Sequence, residues 1–493
     1  MKRKDNCQSN NTNCYDVAII GCGIIGAACG YQLAKYQISA IIMEKENDVA
    51  TGATKANSAI IHAGFDPLPG SLMAKYNVAG SQMAQEIFDK LSIPYRRCGS
   101  LVLAFSAAEL PVLERLYKQG LENGVKGLRI LSQAELQELE PNINKEAIAA
   151  LLAETAMIVS PWEYGLALAE TAVRNGLELA LNTEVQEIVD RAIFWEIKTN
   201  QETYHSKYII NAAGVHSDKI HNMVAPATFK IKPIRGEYYL LDKSEGKQVN
   251  HVIFQCPNED GKGVLVAPTV HGNLIVGPNH IAVTNKEANQ TSTSGLQAVA
   301  AKAQKTLPLL NLSANIRNFA GIRATSDHDD FIVEMAAERF IDLAGIASPG
   351  LSSAPAIANK AVELLSSSGL VLKPKATFID KRVRQHFSDL SLKEKEELIQ
   401  QEAAYGRIVC RCETVSEGEI NAAFNQPIPP VSVDGVKRRC SPGMGRCQGG
   451  FCSPRIVDLL ARHLKVSPLE ILQEHKGSAV LLAETKKVRA DEL

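Results

Sequence analysis

The chain has 493 residues, with 45% hydrophobic and 22% charged side chains. That balance predicts packed globular domains, about three by length, and excludes extended disorder. Lys and Arg number 53 against 54 Asp and Glu, a net charge of −1, so the basic surplus of a nucleic-acid binder is missing and no nucleic-acid partner is expected. The longest apolar stretch near the start, Val17 to Gly30, has 14 residues. A spanning helix needs about 20, so no transmembrane segment is read. No apolar run follows the charged opening residues, and the cytoplasm is the expected location.

In chain order, residues 1–14 read as a polar, flexible arm. Tyr15–Ile20 reads as a strand, Gly21–Gly26 as a turn, the next ten or so residues as a helix, and Ile38–Glu44 as a second strand. Thr51–Asp66 has a loop composition, and Ser71–Leu91 a helical pattern. Residues 95–160 mix short strands with charged helices. Pro161–Asn175 reads as a helix, Leu177–Trp195 as two strands, and Tyr208–Gly214 as a buried strand ending in a small-residue turn. Strands follow at Gly236–Asp242, Val264–Pro268 and Leu274–Gly277, then a helix over Ser294–Thr306. Phe331–Ala344 returns to strands and Ser353–Ser366 to helix. Phe378–Ala404 is dense in charge, and a cysteine-rich end begins near Arg407.

The pattern Gly21-Cys-Gly23-Ile-Ile-Gly26 lies between a predicted strand and a predicted helix. The first glycine permits the tight turn, the second admits a pyrophosphate, and the third lets helix and strand pack closely. A diphosphate there sits on free amides at a helix N-terminus. Glu44 ends the second strand, where a carboxylate accepts ribose hydroxyls. Glu44 and its neighbour Lys45 are therefore cofactor-binding candidates. The pattern fits FAD and NAD equally.

Eleven cysteines are present, an odd number for which a disulfide framework is not expected in a reducing compartment. Six are scattered, at 7, 14, 22, 29, 98 and 256. The other five, Cys410, Cys412, Cys440, Cys447 and Cys452, fall within 43 residues. Such a cluster points to metal or iron–sulfur ligation.

The fingerprint and four further segments resemble the FAD-dependent amino-acid and hydroxy-acid oxidoreductase superfamily. The resemblance implies FAD. It also implies that Thr51, Thr54, Asn57 and Ser58 border the flavin, that Val185 contacts adenine, and that Ala213 and Gly214 form a turn beneath the adenosine half. Gly350, Leu351 and Ser352, in Ser348-Pro-Gly350-Leu-Ser-Ser-Ala354, resemble the segment closing over the isoalloxazine. There a helix N-terminus stabilises negative charge on a reduced flavin. Arg323 (in Gly321-Ile-Arg-Ala-Thr325) and Arg235 match arginine-bearing segments of the family, and a guanidinium binds carboxylate or phosphate bidentately. His62 and His271 are the candidate proton acceptors.

The end of the chain, Val409-Cys-Arg-Cys412 and later Gly443-Met-Gly-Arg-Cys447-Gln-Gly-Gly-Phe-Cys452, is similar to the [2Fe–2S] domain of bacterioferritin-associated ferredoxin. The matching ligands are Cys410, Cys412, Cys447 and Cys452. Cys440 is an extra. Structural zinc on the same four thiolates is the alternative.

An FAD unit followed by this cluster domain resembles the FAD-dependent glycerol-3-phosphate dehydrogenase family, in its anaerobic form. Two departures stand out. The family's closing segment carries a lysine that here is absent until Lys360, and Asn57–Lys75 looks more like the L-2-hydroxyglutarate enzymes. The expected fold is α/β and α+β. It comprises a Rossmann-like FAD-binding domain with an inserted antiparallel-sheet substrate domain, plus a small, mainly helical C-terminal [2Fe–2S] domain. The expected boundaries are an oxidoreductase unit at 15–370, with FAD segments at about 15–95, 150–220 and 325–370 and substrate segments at about 96–149 and 221–324. A charged linker at 371–404, the cluster domain at 405–470 and a tail at 471–493 complete the chain. The expected activity is a dehydrogenase for a small anionic alcohol, glycerol 3-phosphate first. A 2-hydroxy acid such as L-2-hydroxyglutarate, or an amino acid, is the alternative. A flavin/iron–sulfur relay or redox sensor without catalysis is the alternative of another class. The expected acceptor is a redox partner subunit or electron carrier, through which peripheral membrane association could arise.

Overall fold

The computed structural model describes residues 13–257, 263–384 and 386–484. It divides into two compact units, one of residues 1–45 and 49–382 and one of residues 46–48 and 383–493. Most of the expected arm and the end of the expected tail lie outside the described residues.

The larger unit holds two sheets. In the first, β1 (Cys14–Ile20) is central, parallel to β2 (Ala40–Met43) on one side and to the strand Thr203–Asn211 on the other. Val17, Ala18 and Ile19 are fully buried, as a strand covered on both faces must be, and so the run is continuously apolar instead of alternating. The helix α1 (Ile24–Leu33) is buried at every residue. It packs against the helices Pro161–Arg174 and Gly350–Ser367, which explains why its sequence is apolar all round. The third glycine of the fingerprint makes this packing possible, because a Cβ on Gly26 would lie 1.9 Å from the Gly21 carbonyl oxygen. The strand Phe340–Ala344 extends the sheet beside Thr203–Asn211.

The second sheet has nine strands, one of which, Ala149–Ala153, lies within a segment expected to bind FAD. Its longest pair is antiparallel, Ile231–Leu241 with Asn315–Ser326, in register from Ile231↔Ser326 to Tyr239↔Asn318. The sequence pattern missed the strand Asn315–Ser326 because one of its faces carries Asn315, Arg317, Gly321 and Arg323 instead of an apolar row. The sheet's core is Leu101, Leu103, Leu152, Val266 and Val276, covered by Val299 and Ala303 of the helix Thr293–Thr306.

The smaller unit packs a two-strand hairpin, Ile408–Cys410 with Val415–Ser416, among the helices Glu417–Phe424, Val433–Cys440 and Ser453–Leu464. Its core is Val409, Ile420, Val436, Ile456, Leu460 and Ile471.

Two expectations are corrected. The segment 371–404 is not a linker. Arg382 is buried in the larger unit, its Nε donating to Glu170 at 2.8 Å. From Val383 on, the chain belongs to the smaller unit and forms the helix Leu392–Gln401, started by a Ser391/Glu394 capping box. The tail is likewise not loose at its start. Val433 N–H donates to the Leu472 carbonyl at 3.1 Å, and Ile471 is 1% exposed. High charge marked these segments as solvent-facing, yet one buried apolar or ion-paired residue anchors each. Cys14 is disulfide-bonded, whereas no other described cysteine forms a disulfide.

Within the smaller unit the short segment 46–48 contributes Asp48, 2% exposed, whose carboxylate receives Arg438 and Arg439 at 2.7 and 2.8 Å. Although burial opposes ionisation, the two guanidiniums hold the Asp48 carboxyl well below the usual carboxylate range. Asp48→Asn removes the carboxylate that the two buried guanidiniums share, although Arg438 keeps Glu474 at 2.8 Å. It is expected to cost about 3–5 kcal/mol, measured by chemical denaturation of the full chain. An unchanged midpoint would show that the network contributes no net stability.

Candidate functional site

The turn between β1 and α1 has its amides largely fixed by side chains, and its surroundings leave room beside Gly23. Gly21 has φ +97°, and a Cβ on it would meet the Ala212 carbonyl oxygen at 2.7 Å. The turn Asn211–Gly214 therefore lies directly against the fingerprint. Ala212 N–H donates to the Ile20 carbonyl at 3.0 Å. A Cβ on Gly23 meets only Thr54 Oγ1, at 3.4 Å. The protein leaves that space vacant of its own atoms, where a pyrophosphate fits. Glu44, 8% exposed, accepts the Cys22 N–H at 2.7 Å, so the carboxylate is anchored at the lip of the turn. Thr54 Oγ1 accepts the Ile24 N–H at 2.9 Å. Val185 is buried at the start of its strand.

The loop after Thr51 is held in an unusual conformation. Ala59 has φ +60°, a costly setting for a residue with a Cβ. The Asn57 side chain maintains it, accepting the Ala59 N–H at 2.7 Å while donating to the Ala53 and Thr54 carbonyls. The loop then delivers His62, whose backbone N–H donates to Ser352 Oγ at 2.8 Å. Ser352 is in the first turn of the helix Gly350–Ser367. The structure thus brings His62 to the expected closing segment. Lys45 turns elsewhere and pairs with Glu287 at 3.0 Å, as does His216 at 2.8 Å.

The two arginines are not brought together. Strand side chains alternate between faces, and the register pairs Arg323 with Ile234 and Arg235 with Ile322. Arg323 therefore shares a face with Gly321, Gly236 and Tyr238. That face abuts the flavin-side loop. A Cβ on Gly321 would lie 1.9 Å from the Ala56 carbonyl oxygen, and Tyr238 Oη is 3.3 Å from Ser58 Oγ. Arg235 is on the opposite face, paired at 3.1 Å with the fully buried Glu237. Glu237 also accepts the Ser292 N–H at 2.9 Å, at the start of the helix Thr293–Thr306. Arg235, expected beside a substrate, thus belongs to the sheet–helix junction. His271 is similarly engaged, Nε2 to Ser160 Oγ at 3.2 Å and its ring stacked on Trp162 at 5.3 Å. These partners belong to the segment 160–162, not to the Arg323 face. Lys360 pairs with Glu363 at 2.6 Å along its own helix. Two residues on the Arg323 side escaped sequence reading: Tyr238, within an apolar strand, and His280, in the segment after Gly277.

In the smaller unit the four expected ligands form two pairs. Cys412 and Cys447 sulfurs are 3.6 Å apart. A hydrogen bond from Cys452 brings the Cys410 thiol down to about 6. Two thiolates for each of two irons is the donor set a [2Fe–2S] cluster needs. Cys410 and Cys452 are buried, Cys412 is exposed and Cys447 half-buried. A Cβ on Gly445 would come within 2.3 Å of the Cys412 Cβ, so glycine is required there. Cys440 is a core residue, its thiol donating to the Val436 carbonyl within its own helix at 3.4 Å.

Residues 16–364 match the FAD dependent oxidoreductase family. The chain belongs to that family. Residues 408–462 match the BFD-like [2Fe-2S] binding domain, so the cofactors of this oxidoreductase are FAD and a [2Fe–2S] cluster, and the zinc alternative falls. It is 47% identical over 475 residues, 96% of its own length and 99% of the relative's, to a glycerol 3-phosphate dehydrogenase of Caloramator mitchellensis. An L-alpha-glycerophosphate oxidase of Mycoplasma pneumoniae, solved with FAD bound, superposes with a TM-score of 0.72 at 32% identity. That match covers 76% of this chain and 99% of the oxidase. The human L-2-hydroxyglutarate dehydrogenase is 28% identical over 378 residues, 66% of this chain and 81% of that protein. Among the described residues no helix is long and apolar enough to cross a membrane.

The glycines separate cofactor binding from folding. Gly23→Val is expected to give folded protein without FAD, because its side chain enters the vacant space. Gly26→Ala is expected to fail to fold, because its Cβ meets the Gly21 carbonyl. Circular dichroism and the flavin released on denaturation check both, and full FAD content in Gly23→Val would contradict the assignment. For the cluster, Cys447→Ser is expected to remove the bound iron and the paramagnetic signal of the reduced protein while FAD content stays unchanged. Iron analysis and electron paramagnetic resonance measure this.

Proposed function

We propose that this oxidoreductase is a glycerol-3-phosphate dehydrogenase, converting sn-glycerol 3-phosphate to dihydroxyacetone phosphate. The observation that carries the reading is the position of Arg323. It places a guanidinium on the one sheet face that abuts the loop 51–64, suited to bidentate grip of a phosphate. The whole-length relative, a glycerol 3-phosphate dehydrogenase with 99% of its length covered, supports phosphate over carboxylate as the anion.

Oxidising a secondary alcohol removes a hydride from carbon and a proton from oxygen. Bound FAD supplies the two-electron acceptor. Arg323 binds and orients the anionic end. His62 accepts the hydroxyl proton, since imidazole titrates near neutrality. The amides at the start of the helix Gly350–Ser367 favour negative charge nearby. Cys410, Cys412, Cys447 and Cys452 hold the cluster, which carries single electrons and so suits a protein acceptor better than oxygen. Such an acceptor would dock on the exposed Cys412 side. Residence in the cytoplasm, with membrane association only through that acceptor, completes the proposal. L-2-hydroxyglutarate is the second reading, favoured by the loop 57–75 and by the 28% identical human relative.

Anaerobic mixing decides between them. The flavin is expected to bleach with sn-glycerol 3-phosphate and not with L-2-hydroxyglutarate or amino acids. Bleaching by none would favour a relay without catalysis. Arg323→Ala is expected to lower kcat/KM by the equivalent of about 2–5 kcal/mol, the scale for truncating a charged partner, and Arg323→Lys is expected to recover only part. His62→Asn is expected to slow flavin reduction more than it weakens substrate binding. Unaltered kcat/KM in Arg323→Ala would remove that residue from the site.

A further inference from the structure

Arg323 is one cation, and a phosphate monoester near neutral pH carries close to two negative charges. The structure places a second nitrogen base beside it. The strand Ile231–Leu241 has Asn315–Ser326 on one side and the short strand Ile281–Ala282 on the other. On that second side Ile234 pairs with Ala282 and Arg235 with Ile281. Continuing the register one step sets His280 opposite Gly236. Alternation then assigns faces. Ala282 and His280 share the face of Ile234 and Gly236, which is the face of Arg323.

The neighbours agree with this parity. Asn279, one residue earlier, is pinned to the opposite face, its Oδ1 accepting the Glu237 N–H at 2.8 Å and its Nδ2 donating to Glu237 Oε2 at 2.9 Å. Pro278 returns to the Arg323 face. A Cβ on Gly236 would meet Pro278 Cβ at 2.8 Å and Arg323 Nη2 at 2.7 Å. Glycine at 236 therefore lets the Arg323 guanidinium and Pro278 close over the strand from its two sides. His280 is exposed. Partial burial and the Arg323 charge lower its pKa from the usual value, which puts the two groups in electrostatic reach of each other.

We propose that His280 is a second anion-binding residue of the substrate site, gripping across Gly236 the same phosphate that Arg323 holds. The inference rests on the proposed phosphate substrate and names a residue that sets the preference for a dianionic head. An imidazole N–H and a guanidinium on two sides of one anion favour phosphate over a carboxylate, because each bond is made to a separate oxygen.

The test uses the holoenzyme and two ligands, sn-glycerol 3-phosphate and inorganic phosphate. His280→Ala is expected to raise KM for the substrate about tenfold, equivalent to ~1.4 kcal/mol, and to weaken inorganic phosphate, measured as a competitive inhibitor or by perturbation of the flavin spectrum, by a similar factor. The flavin reduction rate at saturating substrate is expected to change by less than about twofold, since uniform binding affects KM and not kcat. His280→Lys is expected to restore most of the affinity. Unchanged KM and phosphate affinity in His280→Ala would overturn the inference while leaving the proposed reaction intact. If the wild-type flavin is not reduced by sn-glycerol 3-phosphate, the proposed reaction falls. Phosphate binding to wild type and His280→Ala then still decides the anion site: weaker binding in the variant supports it, equal binding or none overturns it.

Discussion

The cofactor half of the protein depends on the close approach of two backbone carbonyls to two glycines. The Gly21 carbonyl lies where a Cβ of Gly26 would be, and the Ala212 carbonyl lies against Gly21. Those contacts draw β1, α1 and the turn Asn211–Gly214 to one point. Everything else around that point is arranged on the edge of this turn. Glu44 holds the Cys22 amide, Thr54 holds the Ile24 amide, and the loop from Thr54 carries Asn57, Ser58 and His62 onward to Ser352. Of the three fingerprint glycines, Gly23 has room beside it, and that room suits a pyrophosphate.

On the substrate side the controlling constraint is parity. A long antiparallel pair presents two faces with different work. One meets the helix Thr293–Thr306 through Glu237, Arg235 and Ser292. The other meets the flavin-side loop through Gly321, Tyr238 and Arg323. The close approach of Gly321 to Ala56 and the Tyr238–Ser58 contact let the loop lie close to the sheet. They confine the available cations to those with the right parity.

The cluster unit solves a different problem. Four thiolates must be held in two pairs by a domain with a small core, and a few buried side chains do the holding. Cys410 ends a strand with Val409 packed in the core beside it, and Cys452 caps the helix Ser453–Leu464, whose Ile456 and Leu460 are buried. The other pair, Cys412 and Cys447, sits on glycine-rich turns nearer solvent. A site buried at one end and open at the other suits electron exchange with a partner. The Asp48–Arg438–Arg439 network braces the helix that leads into those turns.

The sequence by itself determined the features whose physics is local. The glycine spacing, the carboxylate ending the second strand, the apolar β1 and the C-x-C with its later cysteine pair all express turns, caps and ligand geometry that a few consecutive residues impose. The resemblance to the oxidoreductase and ferredoxin-like families rested on the same short segments. The tertiary structure decided what depends on distant pairing. Arg235 and Arg323 look alike in sequence, each within two residues of a glycine in a short motif, yet the register of two strands far apart in the chain sends them to opposite faces. His280 carried no local signal because its meaning comes only from lying across Gly236 from Arg323. The charged stretch 371–404 and the start of the tail looked solvated, and were anchored by Arg382, Phe387 and Ile471, whose burial no composition window reveals. A strand's register is set by the sheet as a whole, and a one-residue shift would exchange every face.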